Sequence, residues 1–500
     1  MKTGRKPPAI RGGRPVRPTD CGRHLNHQII DQQTTGRSEL GGGPPRRLTP
    51  PQIIVLSFAL IILGGSFLLL LPPARQPGVS VSLIDALFTA TSAVCVTGLV
   101  TVNTAATWSV FGKVVLLLLI QTGGLSLVTL FSFFMVNLGK RLSLQDRLTI
   151  QAAYNQTTLG GLTHLVRLAV KVTLLCEAGG ALLLTLSFRQ QGYTWLRAGG
   201  YGLFHSVSAF CNAGFDILGP DSLLPYAGNR SLLLILMLLI IAGGLGFVVW
   251  GELLRRWATL WSPRRQARAR LSLHSRLVLL MTGLLLAGGT LLIYAAERHN
   301  PATLGELPAG QRWWSSLFQS VTLRTAGFAA MPQSALTESG KLLSSLLMLI
   351  GGSPGGTAGG IKTVTIAILL CDSWSTLMGR RRTEAFHRSI ANPTVKKALA
   401  ITMLMSLLLA LATGLLSLTE AQMPYPHAWL DLLYETASAL GTVGLSTGLT
   451  PYLSPAGKII LMLCMFIGRI GPITLLVSLS RRYRENDDLL EYPEEDVVIG

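Results

Sequence analysis

Four short stretches of this chain repeat one another, and each sits where an ordinary loop between apolar segments should be. They read LFTATSAVCVTGL from Leu87, LFHSVSAFCNAGF from Leu203, LFQSVTLRTAGF from Leu317 and LYETASALGTVGL from Leu433. Each opens on Leu and an aromatic residue (Phe88, Phe204, Phe318, Tyr434) and closes on a glycine followed by Leu or Phe: Gly98, Gly214, Gly327 and Gly444. The aromatic-to-glycine spacing is ten residues in three copies and nine in the third. Self-similarity on this scale means one supersecondary unit used four times.

The flanking blocks say which solvent that unit lives in. Apolar runs at 52–71 and 113–138, 163–188 and 231–254, 273–296 and 341–372, 397–418 and 457–480 bracket the four stretches in pairs. Each run is long enough to cross ~30 Å of hydrocarbon at ~1.5 Å per residue. With 49% hydrophobic and only 13% charged residues, the chain has too little charge to cover a soluble surface. The fold expected is an all-α membrane protein of eight transmembrane helices, four tandem helix–pore-loop–helix repeats in pseudo-fourfold arrangement around one central pore. The boundaries expected are a basic tail at 1–50, repeat 1 at 51–138, repeat 2 at 139–257, repeat 3 at 258–380, and repeat 4 with the C-terminus at 381–500.

A net charge of +19 raises nucleic acid as a partner, but its distribution argues for topology instead. Basic clusters at Lys140–Arg147, Arg255–Arg276, Arg380–Lys397 and Arg481–Arg484, with the Arg/Gly/Pro-rich tail whose composition predicts disorder, alternate with loops poor in Lys and Arg. By the positive-inside rule these clusters and both termini face the cytoplasm. The six cysteines show no CxxC or metal-like spacing.

The repeated stretches are too short to span and too apolar for loops, so they read as re-entrant segments lining a water-filled path. The physical reading is a short pore helix followed by an extended strand whose carbonyls turn inward. Such oxygens replace the hydration shell of a cation. Glycine tolerates the positive φ that aims successive carbonyls to one side. Helix C-caps look similar, but four in register between spanning segments are poorly explained that way.

The second block of each pair carries another repeat, a small-residue pair at Gly123-Gly124, Gly243-Gly244, Gly351-Gly352 and Gly468-Arg469. Close helix packing accounts for the first two. The third opens the run GGSPGGTAGGIK, Gly351–Lys362, with six glycines and a proline in its first ten residues. Glycine costs ~1 and proline ~3 kcal/mol relative to alanine in a helix, so this block reads as a broken helix with a loop at membrane depth, a candidate gate. A tolerated kink is the plainer alternative. In the fourth, a charge at helix centre costs at least ~2.5–3.5 kcal/mol, so Arg469 must face a cavity or a partner. Either it is a fixed charge in the pathway that anchors the loop, or it pairs with a carboxylate such as Glu177. Arg324 reads as a structural group bonding carbonyls of the third loop. His205 and Asp216 flank the second loop and stand as candidates for tuning ion entry, and Cys95 and Cys211 as small filling residues.

At TSAVCVTGL, HSVSAFCNAGF, QSVTLRTAGF and ETASALGTVGL the sequence resembles the Trk/Ktr/HKT superfamily of potassium transporters. GGSPGGTAGGIKT, IGRIGPITL and the ending EYPEEDVVIG make it most similar to KtrB membrane subunits, while the long tail departs from them. The resemblance implies a selectivity filter of Val96, Thr97, Gly98; Asn212, Ala213, Gly214; Thr325, Ala326, Gly327; and Thr442, Val443, Gly444. Four glycines favour potassium, since sodium-selective members often carry serine at the first. It implies a gate at Gly351, Gly352, Ser353, Gly355, Gly356, Thr357, Gly359, Gly360 and Lys362, with Arg469 beside it. It further implies a homodimer in the cell inner membrane and a cytoplasmic KtrA-like (RCK-type) ring. K+, with Na+ as a possible companion, would be carried by backbone carbonyls alone. ATP or ADP would act only through that partner, with no cofactor in this chain. The alternatives are a Trk-type ion-coupled symporter subunit and a membrane-embedded enzyme. The enzyme is disfavoured because the eight histidines are scattered and no paired carboxylates occur within the spans.

Overall fold

The computed structural model describes residues 48–140, 142–154, 160–260, 270–422 and 425–479. Most of the basic tail, the cluster at Arg481–Arg484 and the EYPEEDVVIG ending lie outside the described residues. Repeat 1 comprises α1 (Pro50–Leu70), α2 (Leu83–Val94), α3 (Val110–Leu125) and α4 (Leu127–Asn137). Repeat 2 comprises α5 (Leu162–Gln190), α6 (Trp195–Phe210), α7 (Arg230–Gly244) and α8 (Phe247–Leu260). Repeat 3 follows with α9 (Leu273–Glu297), α10 (Ala309–Thr322), α11 (Glu338–Leu349) and α12 (Thr363–Leu377). Repeat 4 closes with α13 (Asn392–Thr419), α14 (Trp429–Gly441), α15 (Pro455–Ile470) and α16 (Pro472–Leu479).

The first helix of the first repeat, α1, is apolar on every side. In α1, Ile54, Phe58 and Ile62 are buried while Leu60, Leu63 and Phe67 are exposed, as expected where the surrounding solvent is lipid. Each short helix, α2, α6, α10 and α14, packs on the first helix of its own repeat. Each is also touched by the second-crossing helix of the repeat before it: α3 on α6, α7 on α10, α11 on α14, and α15 on α2. That last contact closes four repeats into a ring. The repeated aromatics Phe88, Phe204, Phe318 and Tyr434 are all buried in these contacts.

Caps start the second crossings. The side chains of Ser109, Asn229, Thr337 and Ser454 accept from the amides of Gly112, Leu232, Gly340 and Gly457 at 3.0–3.2 Å, satisfying donors that helix geometry leaves unpaired. Three of them belong to a pattern S/T-x-x-G-K, at Ser109–Lys113, Thr337–Lys341 and Ser454–Lys458. The glycine is required by close approach. A methyl group there would run into Ala74 O, Glu297 Oε1 and Glu420 Oε1 respectively. The lysine of the third and fourth repeats then reaches the pore helix of the next repeat, with Lys341 on Asp431 at 2.6 Å and Lys458 on Asp85 at 2.8 Å.

Only the third second crossing is expected to break; in fact all four do. The chain bends by 85° between α3 and α4, 103° between α7 and α8 and 96° between α15 and α16. The bends fall at Ser126 (φ 68), Gly246 (φ 88) and Gly471 (φ 90), single left-handed residues that hydropathy cannot reveal. The spans read as continuous over 113–138, 231–254 and 457–480 are therefore corrected to bent pairs. A two-stranded hairpin, β1 (Glu384–Ala385) with β2 (Arg388–Ser389), interrupts the basic segment after α12, with Phe386 and His387 both left-handed at its turn.

Candidate functional site

Beyond each pore helix the chain takes the same backbone course. Positive φ occurs at the glycine and again two residues before it: Val96 (56°) and Gly98 (98°), Asn212 (59°) and Gly214 (68°), Thr325 (61°) and Gly327 (79°), Thr442 (53°) and Gly444 (95°). Alternating left-handed residues turn successive carbonyls to one side. The glycine half of this pattern is what the sequence predicts. The other half falls on Asn212, which tolerates a left-handed backbone, and on the β-branched Val96, Thr325 and Thr442, where it is strained and must be held by its surroundings.

The four turns meet. A methyl group on Gly98 would lie 2.6 Å from the Ala213 carbonyl oxygen, one on Gly214 2.8 Å from that of Ala326, and one on Gly327 2.5 Å from that of Val443. One on Gly444 would collide with the carbonyl of Thr97. The four glycines therefore form a closed ring in sequence order, each pressed against the strand of the next repeat. Twelve residues named from sequence are brought together here, all buried except Gly444.

A hydroxyl at the end of each pore helix secures its strand. Ser92 and Ser438 accept from the amides of Gly98 and Gly444, both at 3.0 Å. Ser208 and Thr322 donate instead to the carbonyls of Phe215 and Phe328, both at 2.7 Å. These four residues were legible as a hydroxyl column in the aligned repeats. The nine-residue spacing of the third copy also finds its place. The amides of Thr97, Ala213 and Val443 bond the carbonyl five residues back, whereas Ala326 bonds Thr322, four back. The missing residue comes out of the link between helix and strand, and the ring stays intact.

Beneath the ring the repeats differ. Gly123, Gly243 and Gly468 each lie against the carbonyl end of the pore helix of their own repeat, at Val94, Phe210 and Leu440. Close packing thus explains three small-residue pairs, including the fourth. In the third repeat the helix stops at Leu349 and resumes at Thr363, as the glycine run predicts. The intervening segment is pinned at its neck by Gly351 N to Ile361 O (2.9 Å) and Thr363 N to Gly352 O (3.0 Å). It also docks on repeat 2. The amides of Ser353 and Thr357 donate to Gly244 O (2.9 Å) and Gly243 O (3.2 Å), and Phe247 N donates to Gly355 O (3.1 Å). A bent helix strands its last carbonyls, and the loop supplies their donors. Gly359 and Gly351 face the pore-loop strands, against the side chains of Thr442 and Thr325.

Arg469 does for repeat 1 what the loop does for repeat 2. Its guanidinium donates to Gly123 O (2.5 Å) and Gly124 O (3.1 Å), beside the bend at Ser126, and to Thr357 O of the loop. Glu177 is not its partner. That carboxylate accepts from Gln121 (3.3 Å) and Cys211 (3.7 Å). Lys362 donates back to Ala358 O at 2.6 Å, within the loop. Arg469 and Lys362, together with Phe58, Tyr154 and Lys397, line a cavity of about 200 Å³ beside the loop.

The remaining expectations divide. Arg324 is buried, and its one described hydrogen bond goes to Thr282 of α9 at 3.5 Å, not to carbonyls of its own pore loop. Its position, three before the glycine, is also that of Cys95 and Cys211, which end α2 and α6 and fill space. His205 lies inside α6, fully buried among Phe188, Phe204 and Phe328, with Nδ1 on Tyr201 O at 2.7 Å. It is a core residue, and the expectation that it tunes ion entry is not met. Asp216, two residues beyond Gly214, is half-buried. Burial pushes its carboxyl up to about 6, against the pull of nearby backbone amides.

The chain is similar to known cation transport proteins. A family model described as TrkH, cation transport protein, matches residues 38–487. The chain is 40% identical to Ktr system potassium uptake protein B of Bacillus subtilis (strain 168), over 84% of this chain and 90% of that one. It is 39% identical to potassium/sodium uptake protein NtpJ of Enterococcus hirae, over 85% of this chain and 91% of that one. Among solved structures, the potassium transporter TrkH from Vibrio parahaemolyticus matches with a TM-score of 0.65 at 18% identity, covering 89% of this chain and 87% of that one. That likeness speaks for the fold alone.

Proposed function

We propose that this chain, which belongs to the TrkH family of cation transport proteins, takes up potassium through the ring of four pore-loop strands. The observation that carries the reading is the closed ring. Four glycines from four repeats abut one another, with carbonyls on the strands between them. Val96–Gly98, Asn212–Gly214, Thr325–Gly327 and Thr442–Gly444 act as the filter, exchanging carbonyl oxygens for the ion's water. The loop Gly351–Lys362 acts as the gate, held shut by its bonds to repeat 2 and by Arg469. Influx is driven by the membrane potential, worth ~2.3 kcal/mol per charge per 100 mV.

The termini and basic loops face the cytoplasm of the cell in this reading, following the positive-inside distribution. There they offer a docking face to a nucleotide-binding ring, and two chains associate as a homodimer. The name of the B. subtilis relative, one part of a Ktr system, supports a partner subunit. The name of the E. hirae relative supports a second reading in which sodium is also carried or stimulates uptake.

The test is potassium uptake by cells lacking their own uptake systems, with and without a KtrA-like partner, with and without a proton gradient, and with sodium as competitor. Restored growth at low potassium that ignores the proton gradient supports passive uptake. No uptake under any condition, from a chain present in the membrane, would sink the reading.

A further inference from the structure

One position repeats through all four pore helices and does two different jobs. The residue after each repeated aromatic is Thr89, His205, Gln319 and Glu435 in turn. In repeats 1 and 2 it bonds backward into its own helix, Thr89 Oγ1 to Asp85 O (2.8 Å) and His205 Nδ1 to Tyr201 O (2.7 Å). In repeats 3 and 4 it reaches across to the segment that leaves the filter. Gln319 and Gln333 exchange amide hydrogen bonds at 2.7 and 3.2 Å. Glu435 is fully buried and accepts from Ser446 Oγ (2.7 Å), Thr447 N (2.8 Å), Thr447 Oγ1 (3.1 Å) and Thr450 Oγ1 (2.6 Å).

The two braces are joined. Gln333 Oε1 also accepts from the Tyr434 hydroxyl at 2.7 Å, and Tyr434 immediately precedes Glu435. Gln333 and Thr450 stand at matching places, each six residues beyond the glycine of its strand. The third and fourth exit segments are thus both held by the fourth pore helix, through two adjacent residues, Tyr434 and Glu435. Among the described residues, the equivalent side chains of repeats 1 and 2 make no such crossing.

We infer that Glu435, with Gln333 and Tyr434, is a positioning device that fixes the outer half of the filter on the side of repeats 3 and 4 and so sets discrimination between potassium and sodium. The inference rests on the filter reading above. Its physical basis is that Thr325 and Thr442 hold left-handed backbone that persists only when the surroundings over-determine it. The strand after Gly444 is clamped by four bonds to one buried carboxylate, and bonds to a charged acceptor are the strong ones. Selectivity depends on how tightly carbonyls are held about the ion or on the field they present, and loosening the clamp alters both. None of these side chains need touch the ion.

The experiment uses the full chain in proteoliposomes, with potassium and sodium uptake measured in parallel. Thr450→Val removes one donor at nearly constant shape, Tyr434→Phe cuts only the link between braces, and Glu435→Gln weakens the whole clamp. The ratio of sodium to potassium KM should fall about threefold in the first two and about tenfold in the third, with Vmax for potassium within about twofold of the parent. Thr450→Ser should restore the parent ratio, and Thr89→Val, at the unbraced position, should leave it unchanged. If Glu435→Gln does not fold, Thr450→Val and its serine rescue decide. Unaltered ratios in folded Thr450→Val and Tyr434→Phe, or an equal shift in Thr89→Val, would overturn the brace alone. A parent chain that takes up sodium as readily as potassium would overturn the filter reading and the brace with it.

Discussion

The ring of pore-loop strands and the layer of broken helices beneath it are drawn from the same four repeats, yet one obeys the repeat and the other abandons it. In the ring, four strands share left-handed residues at the same two places, a hydroxyl at the same helix end and a glycine against the next carbonyl. Even a deleted residue in the third copy is absorbed outside the ring. Beneath it, one repeat contributes a thirteen-residue interruption from Ile350 to Lys362, another an arginine, and two contribute stranded carbonyls that receive them. The difference follows from what each layer must do. A spherical ion on an axis is best surrounded by equal oxygens, so change in one strand degrades the site. A closure needs one moving part and fixed points to hold it, which four identical copies in one chain would lack.

The sharpest way to break the comparison is to spoil the symmetric layer. Gly444→Ala places a methyl against the Thr97 carbonyl at a residue with φ 95, and should cut potassium uptake about a hundredfold, measured as growth and rubidium influx in uptake-deficient cells. Gly98→Ser should act in the same layer by weakening discrimination against sodium. Removing Ser353–Gly360 from the asymmetric layer should do the reverse, raising flux about tenfold while the potassium-to-sodium ratio stays put. A deletion that changes the ratio and leaves the flux alone would show that the layers are not separable. Arg469→Gln keeps some hydrogen bonding but loses the charge, and should raise flux about threefold under the same assay. The smallest effect belongs to Asp216. Its carboxyl, at about 6, is charged at pH 7.5 and mostly neutral at pH 5. Acidifying the outside should therefore raise the potassium KM about twofold by removing a negative charge near the entrance, and Asp216→Asn should abolish that pH dependence.

How far the sequence could be read tracks the same division. Features that recur were legible: the glycines, the spanning blocks, and the third-copy spacing that turned out to shorten one helix-to-strand link. The break after Leu349 was legible because six glycines and a proline overwhelm helix propensity. The bends at Ser126 and Gly246 were not, because one left-handed residue leaves hydropathy unchanged while redirecting everything after it. Arg469 was marked by the cost of its burial, but its partners are backbone carbonyls, which carry no residue identity to search for. Two further signals recur in the sequence and acquire a meaning only from the structure: the S/T-x-x-G-K caps at Ser109, Thr337 and Ser454, and the hydroxyl column Ser92, Ser208, Thr322 and Ser438.

The ring order makes repeats 1 and 3 diametrically opposed, and Arg469, borne by repeat 4, bonds Gly123 and Gly124 of the first and Thr357 of the third. It is a crossbar between facing walls. In the gate proposed above, the walls would part only after one end of the bar lets go, not by degrees. Each bond from a charged donor contributes ~1.5–3 kcal/mol, so the proposed gate would open in discrete episodes whose frequency is set by the release of a single side chain.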